Sequence, residues 1–198
     1  MEQVAKRLTQ QISFILEIDQ LKQIYRQNLI LDGSRRENDA EHSWHLAMMA
    51  VVLQEYASEP VDLSRVLQMV LLHDIVEIDA GDTFCYDVQA GLDKHEREQK
   101  AAKRIFGLLP SDQGEELKNL WLEFEAGESP EARFAAVLDR LQPFLNNYHT
   151  EGGTWRIHGV GSEQVQKRME PIGINAPALG AYVEKLLEEA IAQGILRK

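Results

Sequence analysis

One cysteine, six prolines and three tryptophans occur in a chain of 198 residues. The lone thiol, Cys85, cannot form an internal disulfide, which agrees with a reducing compartment and points to the cytoplasm. It also excludes every zinc site built on paired cysteines, so any metal must be held by histidine and carboxylate. Long apolar stretches are missing as well. Nothing approaches the roughly 18 residues of a membrane span, and the opening Met1–Gln11 lacks the apolar segment of a signal peptide, so no membrane partner is expected. Basic charge is scarce: 21 lysines and arginines face 32 aspartates and glutamates, leaving a net charge of −11. Duplex nucleic acid binds proteins chiefly through phosphate contacts, so it is not an expected partner. A small anionic substrate would need a local basic or metal site.

Alternation of apolar and polar residues is also rare, whereas spacings of three and four recur in nearly every segment, which predicts an all-α fold. Turn signals at Asp32-Gly33-Ser34, Gly81-Asp82, Leu109-Pro110-Ser111, Gly127 to Pro130, Glu151-Gly152-Gly153 and Pro171 to Pro177 divide the chain into about eight helices. We expect a single domain over 1–198, with a core from about 21 to 160 and a helical extension over 161–198. Asp62 and Ser129 read as helix N-caps, and Pro130 sits where a first-turn proline belongs.

Three predicted helices place polar residues where a core would want leucine. On Asn38–Tyr56 the stripe Leu46, Met49, Leu53, Tyr56 continues upstream to His42, which therefore points inward; a hydrogen-bonded core histidine or a ligand both fit. His45, at the stripe's edge, reads as a structural or supporting residue. On Leu63–Ile78 the face Val66, Met69, Val70 becomes ionisable at His73 and Glu77, with Asp74 a quarter turn away. The other directions carry Leu67, Leu71, Leu72, Ile75 and Val76, so this helix is expected at the centre. Burying His, Asp and Glu together is expensive unless they are paired or metal-bound. On Pro130–Tyr148 the stripe Phe134, Val137, Leu138, Leu141, Phe144, Leu145, Tyr148 faces one way. Asp139 faces the other, among Ala132, Ala135 and Ala136, where small side chains let a second helix approach.

The order His42, His73-Asp74, Asp139, with the surrounding segments Arg-Arg-Glu-Asn-Asp-Ala-Glu-His-Ser (35 to 43), Leu-Leu-His-Asp-Ile-Val-Glu-Ile-Asp-Ala-Gly-Asp-Thr (71 to 83) and Val-Leu-Asp-Arg-Leu-Gln-Pro (137 to 143), resembles the HD phosphohydrolase superfamily, in particular its YfbR-like 5′-deoxynucleotidases. The resemblance runs from Leu21 to roughly Val160. It implies that His42, His73, Asp74 and Asp139 hold one divalent transition metal (Mn, Co, Fe, Ni or Zn). It further implies that Glu77 is the catalytic carboxylate near the attacking water, that Asp82 is a second catalytic or substrate-side carboxylate, and that Arg26 grips the phosphate. Beside that arginine the nucleotidases carry a tryptophan against the sugar; here the position is Gln27, which predicts weaker discrimination between ribose and deoxyribose. The resemblance also implies a homodimer.

The chemistry is self-consistent. Imidazole and carboxylate suit a borderline divalent ion, such an ion favours hydrolysis of a phosphate ester, and Arg26, with Arg35 and Arg36 as further candidates, offers donor forks for phosphate. The expected activity is a phosphomonoesterase acting on (deoxy)nucleoside 5′-monophosphates or a similar small phosphate ester. The alternatives are an HD-type triphosphohydrolase or phosphodiesterase, and a catalytically idle module that binds nucleotide or a partner protein.

Overall fold

The computed structural model describes residues 2–87 and 89–198. Among them lie α1 (Glu2–Glu17), a 3-10 turn (Ile18–Gln23), β1 (Tyr25–Leu29), β2 (Arg36–Asn38), α2 (Asp39–Leu53), α3 (Leu63–Leu72), α4 (Glu77–Ala80), α5 (Lys94–Phe106), α6 (Ser111–Ala126), α7 (Pro130–His149), α8 (Gly153–His158), α9 (Ser162–Asn175) and α10 (Pro177–Ala192). Among the described residues no helix is long and apolar enough to cross a membrane. The helical class matches the sequence reading, while the ten helices among the described residues exceed the eight expected because α4 and α8 are too short to leave a periodic signal.

The hairpin was not foreseen. Its strands, Tyr-Arg-Gln-Asn-Leu and Arg-Glu-Asn, are short and polar, so they carry no period-two pattern. The Asp32-Gly33-Ser34 turn joins them: Gly33 takes φ +71°, which glycine adopts without strain, and the Ser34 amide donates to Asp32 Oδ1 at 2.8 Å. The strands pair antiparallel, Tyr25 with Asn38 and Leu29 with Arg36. This hairpin presents Arg26 and delivers Asn38 as the N-cap of α2, in a reciprocal capping box with Glu41. His42 therefore sits in the first turn of a firmly started helix.

A second difference lies after α3. The helix predicted to run to Ile78 ends at Leu72, and His73 to Val76 form tight turns before α4. Three-residue hydrogen bonds replace the helical ones there, Ile75 to the Leu72 carbonyl at 3.1 Å and Glu77 to the Asp74 carbonyl at 2.9 Å. Leu71, expected inside, is 48% exposed, and Tyr56 at the end of the α2 stripe is also exposed.

The core is built on α2, α3 and α7, whose Leu46, Val66, Met69, Val70, Phe134 and Leu138 are fully buried. Asp62 and Ser129 cap α3 and α7 as expected, and Pro130 opens α7. Pro143 lies inside α7, so the carbonyl four residues earlier, that of Asp139, has no helical N–H to accept. The carbonyl of Pro143 itself accepts the side-chain amides of Asn28 at 3.3 Å and Asn147 at 3.0 Å. At the C-terminal end α9 packs on α7 and α10 on α9; Leu179, Val183, Leu186 and Leu187 are buried, whereas Tyr182 is exposed. A Cβ placed on Gly180 would overlap the backbone of Gly173. Gly180→Ala is expected to destabilise the protein by about 1–3 kcal/mol, as overpacking of a close helix contact does. An unchanged urea midpoint would show that α9 and α10 part without penalty.

Candidate metal centre and active site

Two imidazoles form the floor of the site, and each is held in the same tautomer. Gln142, fully buried, donates its amide to Glu37 Oε1 at 2.6 Å. Because a carboxylate only accepts, this fixes the amide's orientation and turns Gln142 Oε1 toward His42 Nδ1, 3.0 Å away, which must carry the proton. The same Gln142 Nε2 lies 3.3 Å from His45 Nδ1, so His45 supports the network rather than entering the site. In the turn after α3, His73 Nδ1–H donates to the Val70 carbonyl at 2.9 Å. Both Nε2 atoms therefore face the interior of the site, the arrangement that second-sphere bonds impose on ligating histidines.

Two carboxylates converge on these nitrogens. Asp139 Oδ1 is 3.2 Å from His42 Nε2 and 3.7 Å from His73 Nε2. Asp74 Oδ2 is 3.0 Å from His73 Nε2 and 3.9 Å from His42 Nε2. Neither contact with His73 is a hydrogen bond, and its buried Nε2 has no hydrogen-bond partner among the described residues. Arg26, reaching in from β1, places Nη1 2.7 Å from Asp74 Oδ2 and 3.4 Å from Asp39 Oδ1, with Nη2 3.9 Å from Asp139 Oδ1.

Asp39, Glu77 and Asp82 form a second group, their oxygens all within 4.8 Å of one another. Burial and neighbouring carboxylates raise all three: Asp39 to about 7, Glu77 well above its ordinary value, and Asp82 above its own. The first group is shifted the other way. Burial disfavours the charged forms of Asp74 and Asp139, yet adjacent imidazoles, and Arg26 beside Asp74, hold both below the usual carboxylate range. Burial also opposes charge on His73, but Asp74 and Asp139 outweigh it and lift that imidazole to about 10; His42 is raised less.

All eight residues predicted for the site lie in or against one cavity of about 560 Å³. Arg26, Gln27, His73, Asp74, Glu77, Asp82 and Asp139 line it, and His42 closes its floor. Arg35, by contrast, pairs with Glu41 at 2.8 Å on the surface, and Arg36 is exposed, so neither reaches a phosphate here. Trp155 forms part of the wall, and His158 packs tilted against the lining residue Phe84, ring centroids 4.5 Å apart and planes at 41°. The sequence reading missed Asp39, which is fully buried. Its position in the first turn of α2 reads as favourable for the helix dipole; the signal was its spacing of three from His42, which puts both on one face. Arg140, Arg168 and Lys94, also in the wall, were not anticipated either.

The HD domain family model matches residues 18–179. The chain belongs to the HD domain family. Among curated HD domain relatives, it is 30% identical over 141 residues to the 5′-deoxynucleotidase HDDC2 of Danio rerio, covering 71% of this chain and 69% of that protein. To the Homo sapiens 5′-deoxynucleotidase HDDC2 it is 33% identical over 135 residues, covering 68% and 65%. The chain thus spans about two thirds of the length of these relatives. A solved structure titled "predicted metal-dependent phosphohydrolase", from Magnetospirillum magnetotacticum MS-1, is 56% identical, with a TM-score of 0.94 over 98% of this chain and 97% of that one.

The donor set of this HD domain protein fits a divalent metal. His42, His73 and Asp139 offer three donor atoms within 4.8 Å of one another, Asp74 brings a fourth, and the His73 Nε2 is a buried nitrogen without a hydrogen-bond partner that becomes a donor to a cation once it gives up its proton. Asp39, Glu77 and Asp82 offer only hard oxygen donors, which suit a harder ion or shared protons. Two outcomes follow. Gln142→Leu should weaken metal affinity by about 10–100-fold while the fold persists, read by competition with a chelating dye; unchanged affinity would dismiss the amide as an orienting group. Metal uptake at pH 8 should release about one proton, because His73 is protonated there and must ligate neutral. The same raised value means that the His73 contribution to stability of the metal-free protein is complete below pH 6.5 and is lost as pH rises through about 10. Titration calorimetry in two buffers of different ionisation enthalpy measures the proton count, and a count of zero at pH 8 contradicts the assignment.

Proposed function

We propose that this metal-dependent phosphohydrolase of the HD domain family releases phosphate from nucleoside 5′-monophosphates. The observation that carries the reading is the pairing, in one cavity, of an imidazole–carboxylate group suited to a cation with a second carboxylate group, Asp39, Glu77 and Asp82, that burial and mutual repulsion push above the usual carboxylate range. The names of the curated relatives support the nucleotide. His42, His73, Asp74 and Asp139 would hold the metal, whose identity among Mn, Co, Fe, Ni and Zn this donor set leaves open. When bound, such an ion neutralises charge on a phosphoryl oxygen and lowers the pKa of water beside it.

The chain's own groups do the rest. Arg26, buried and held by Asp74 and Asp39, presents a fixed guanidinium where an incoming phosphoryl group would meet the acidic floor. Glu77 Oε2 is buried without a partner, so it is free to take a proton from the attacking water or return one to the leaving alkoxide. Asp82, half-buried in the loop after α4, stands beside it and shares that proton load. Gln27 also lines the cavity, and its amide would offer both a donor and an acceptor to a 2′-hydroxyl.

Cytoplasmic residence and a homodimer complete the proposal. The lone cysteine supports the first, and the exposed apolar side chains Leu8, Ile12, Ile15, Trp44 and Val52 of α1 and α2 support the second. The deciding experiment is a phosphate-release screen of the manganese- or cobalt-loaded protein over nucleoside mono- and triphosphates. Monophosphates should be the substrates, with ribo and deoxy forms within about tenfold of each other, since a hydrogen bond to the 2′-hydroxyl is worth roughly 1 kcal/mol. Glu77→Gln should keep the metal and lose turnover by about 10² or more. Exclusive release of pyrophosphate or triphosphate would favour the triphosphohydrolase, and wild-type turnover in Glu77→Gln would move proton transfer to Asp82.

A further inference from the structure

The cavity holds cationic groups that the hydrolytic centre does not use. Arg168, from α9, places Nη2 3.7 Å from Asp139 Oδ2. Arg26 approaches the other oxygen of that carboxylate, Oδ1, at 3.9 Å. Asp139 therefore separates two guanidinium groups, one on the metal-donor side and one facing the outer wall. Arg140, next to Asp139 in α7, lines the same wall; its Nη1 donates to the Ala136 carbonyl at 2.8 Å, and its buried Nε has no partner. Among the described residues Arg168 pairs with no acid but Asp139, and Arg140 pairs with none.

A half-buried arginine whose Nε is sealed from water without a partner, beside a second arginine, is costly unless an anion joins them. Its position in the wall of an active-site cavity makes a substrate group the natural counter-ion. Resting on the reading of the cavity as a nucleotidase site, we propose that Arg140 and Arg168 form a second anion subsite, and that the favoured substrates carry an additional phosphoryl group on a sugar hydroxyl other than the one whose ester is hydrolysed. A separate hydroxyl is required because Asp139 stands between the two cationic positions. A pyrophosphate chain leading from one to the other would lay its charge against that carboxylate, whereas two phosphates on opposite edges of a sugar straddle it.

The test compares affinities of manganese-loaded Glu77→Gln protein, in which turnover is slowed, for an adenosine 3′,5′-bisphosphate, 5′-monophosphate and 5′-diphosphate by titration calorimetry. The bisphosphate should bind at least about tenfold more tightly than the monophosphate, the scale of one charge-assisted contact pair. Adding Arg168→Gln should bring that ratio close to one, and Arg168→Lys should retain part of it because charge persists without the planar fork. The Arg168 side chain is 34% exposed, which makes these substitutions compatible with folding. Equal affinity for bisphosphate and monophosphate, or a ratio that survives both Arg168→Gln and Arg140→Gln, overturns the subsite. A diphosphate advantage that disappears with Arg168→Gln overturns the placement on a separate hydroxyl. Absence of phosphate release from any nucleotide by the metal-loaded native chain would instead refute the nucleotidase reading, while the affinity ratio still reports on Arg140 and Arg168.

Discussion

The structure depends on one electrostatic constraint: two imidazoles, two carboxylates and a guanidinium are buried together at the meeting point of α2, α3, α7 and β1. Charges taken out of water must find compensation, and no single element could supply it. The hairpin supplies the arginine, α2 one imidazole, the turn after α3 the other with its adjoining aspartate, and α7 the last carboxylate. The apolar stripes of these elements pack around the cluster. If the packing slipped by one residue on any element, a charge would be left alone in the interior.

The same constraint divides the acids into two populations. Asp74 and Asp139 face imidazoles and are held ionised, ready to coordinate. Asp39, Glu77 and Asp82 crowd one another in a buried site, and all three are pushed above the usual carboxylate range. Environments that push like groups apart in this way separate coordination from proton transfer within a few ångströms. Arg26 bridges the two populations, touching Asp74 and Asp39 at once.

Much of this was legible in the chain. The inward His42 followed from its spacing to Leu46 and Met49, and the ionisable end of the α3 face announced His73 and Glu77. Helical periodicity assigns faces within one element, however, and says nothing about where an element ends. His73 to Val76 kept the helical pattern while the backbone tightened into three-residue turns, so the predicted continuous helix failed there and Leu71 emerged on the surface. Asp39 was hidden because an acid in a first turn has an adequate local explanation. Arg168 was beyond reach for another reason: it meets Asp139 across 29 positions of sequence, and nothing on α9 itself distinguishes it from a solvated charge. Gln142 was similarly mute, since its role lies wholly in the partners that the fold brings to it.

Pro143 bears on the range of ions that such a centre can accept. By leaving the Asp139 carbonyl without its helical donor, it removes one rung of α7 at the level of the carboxylate that faces both imidazoles. A helix missing a rung bends there at low cost, while the flanking turns stay anchored by Phe134, Leu138 and Phe144. The carboxylate is thus mounted on a compliant segment and the two imidazoles on rigid ones. A coordination sphere with one adjustable arm can follow differences in ionic radius without disturbing the core, so metal promiscuity would be a mechanical property of α7 as much as a chemical property of its donors.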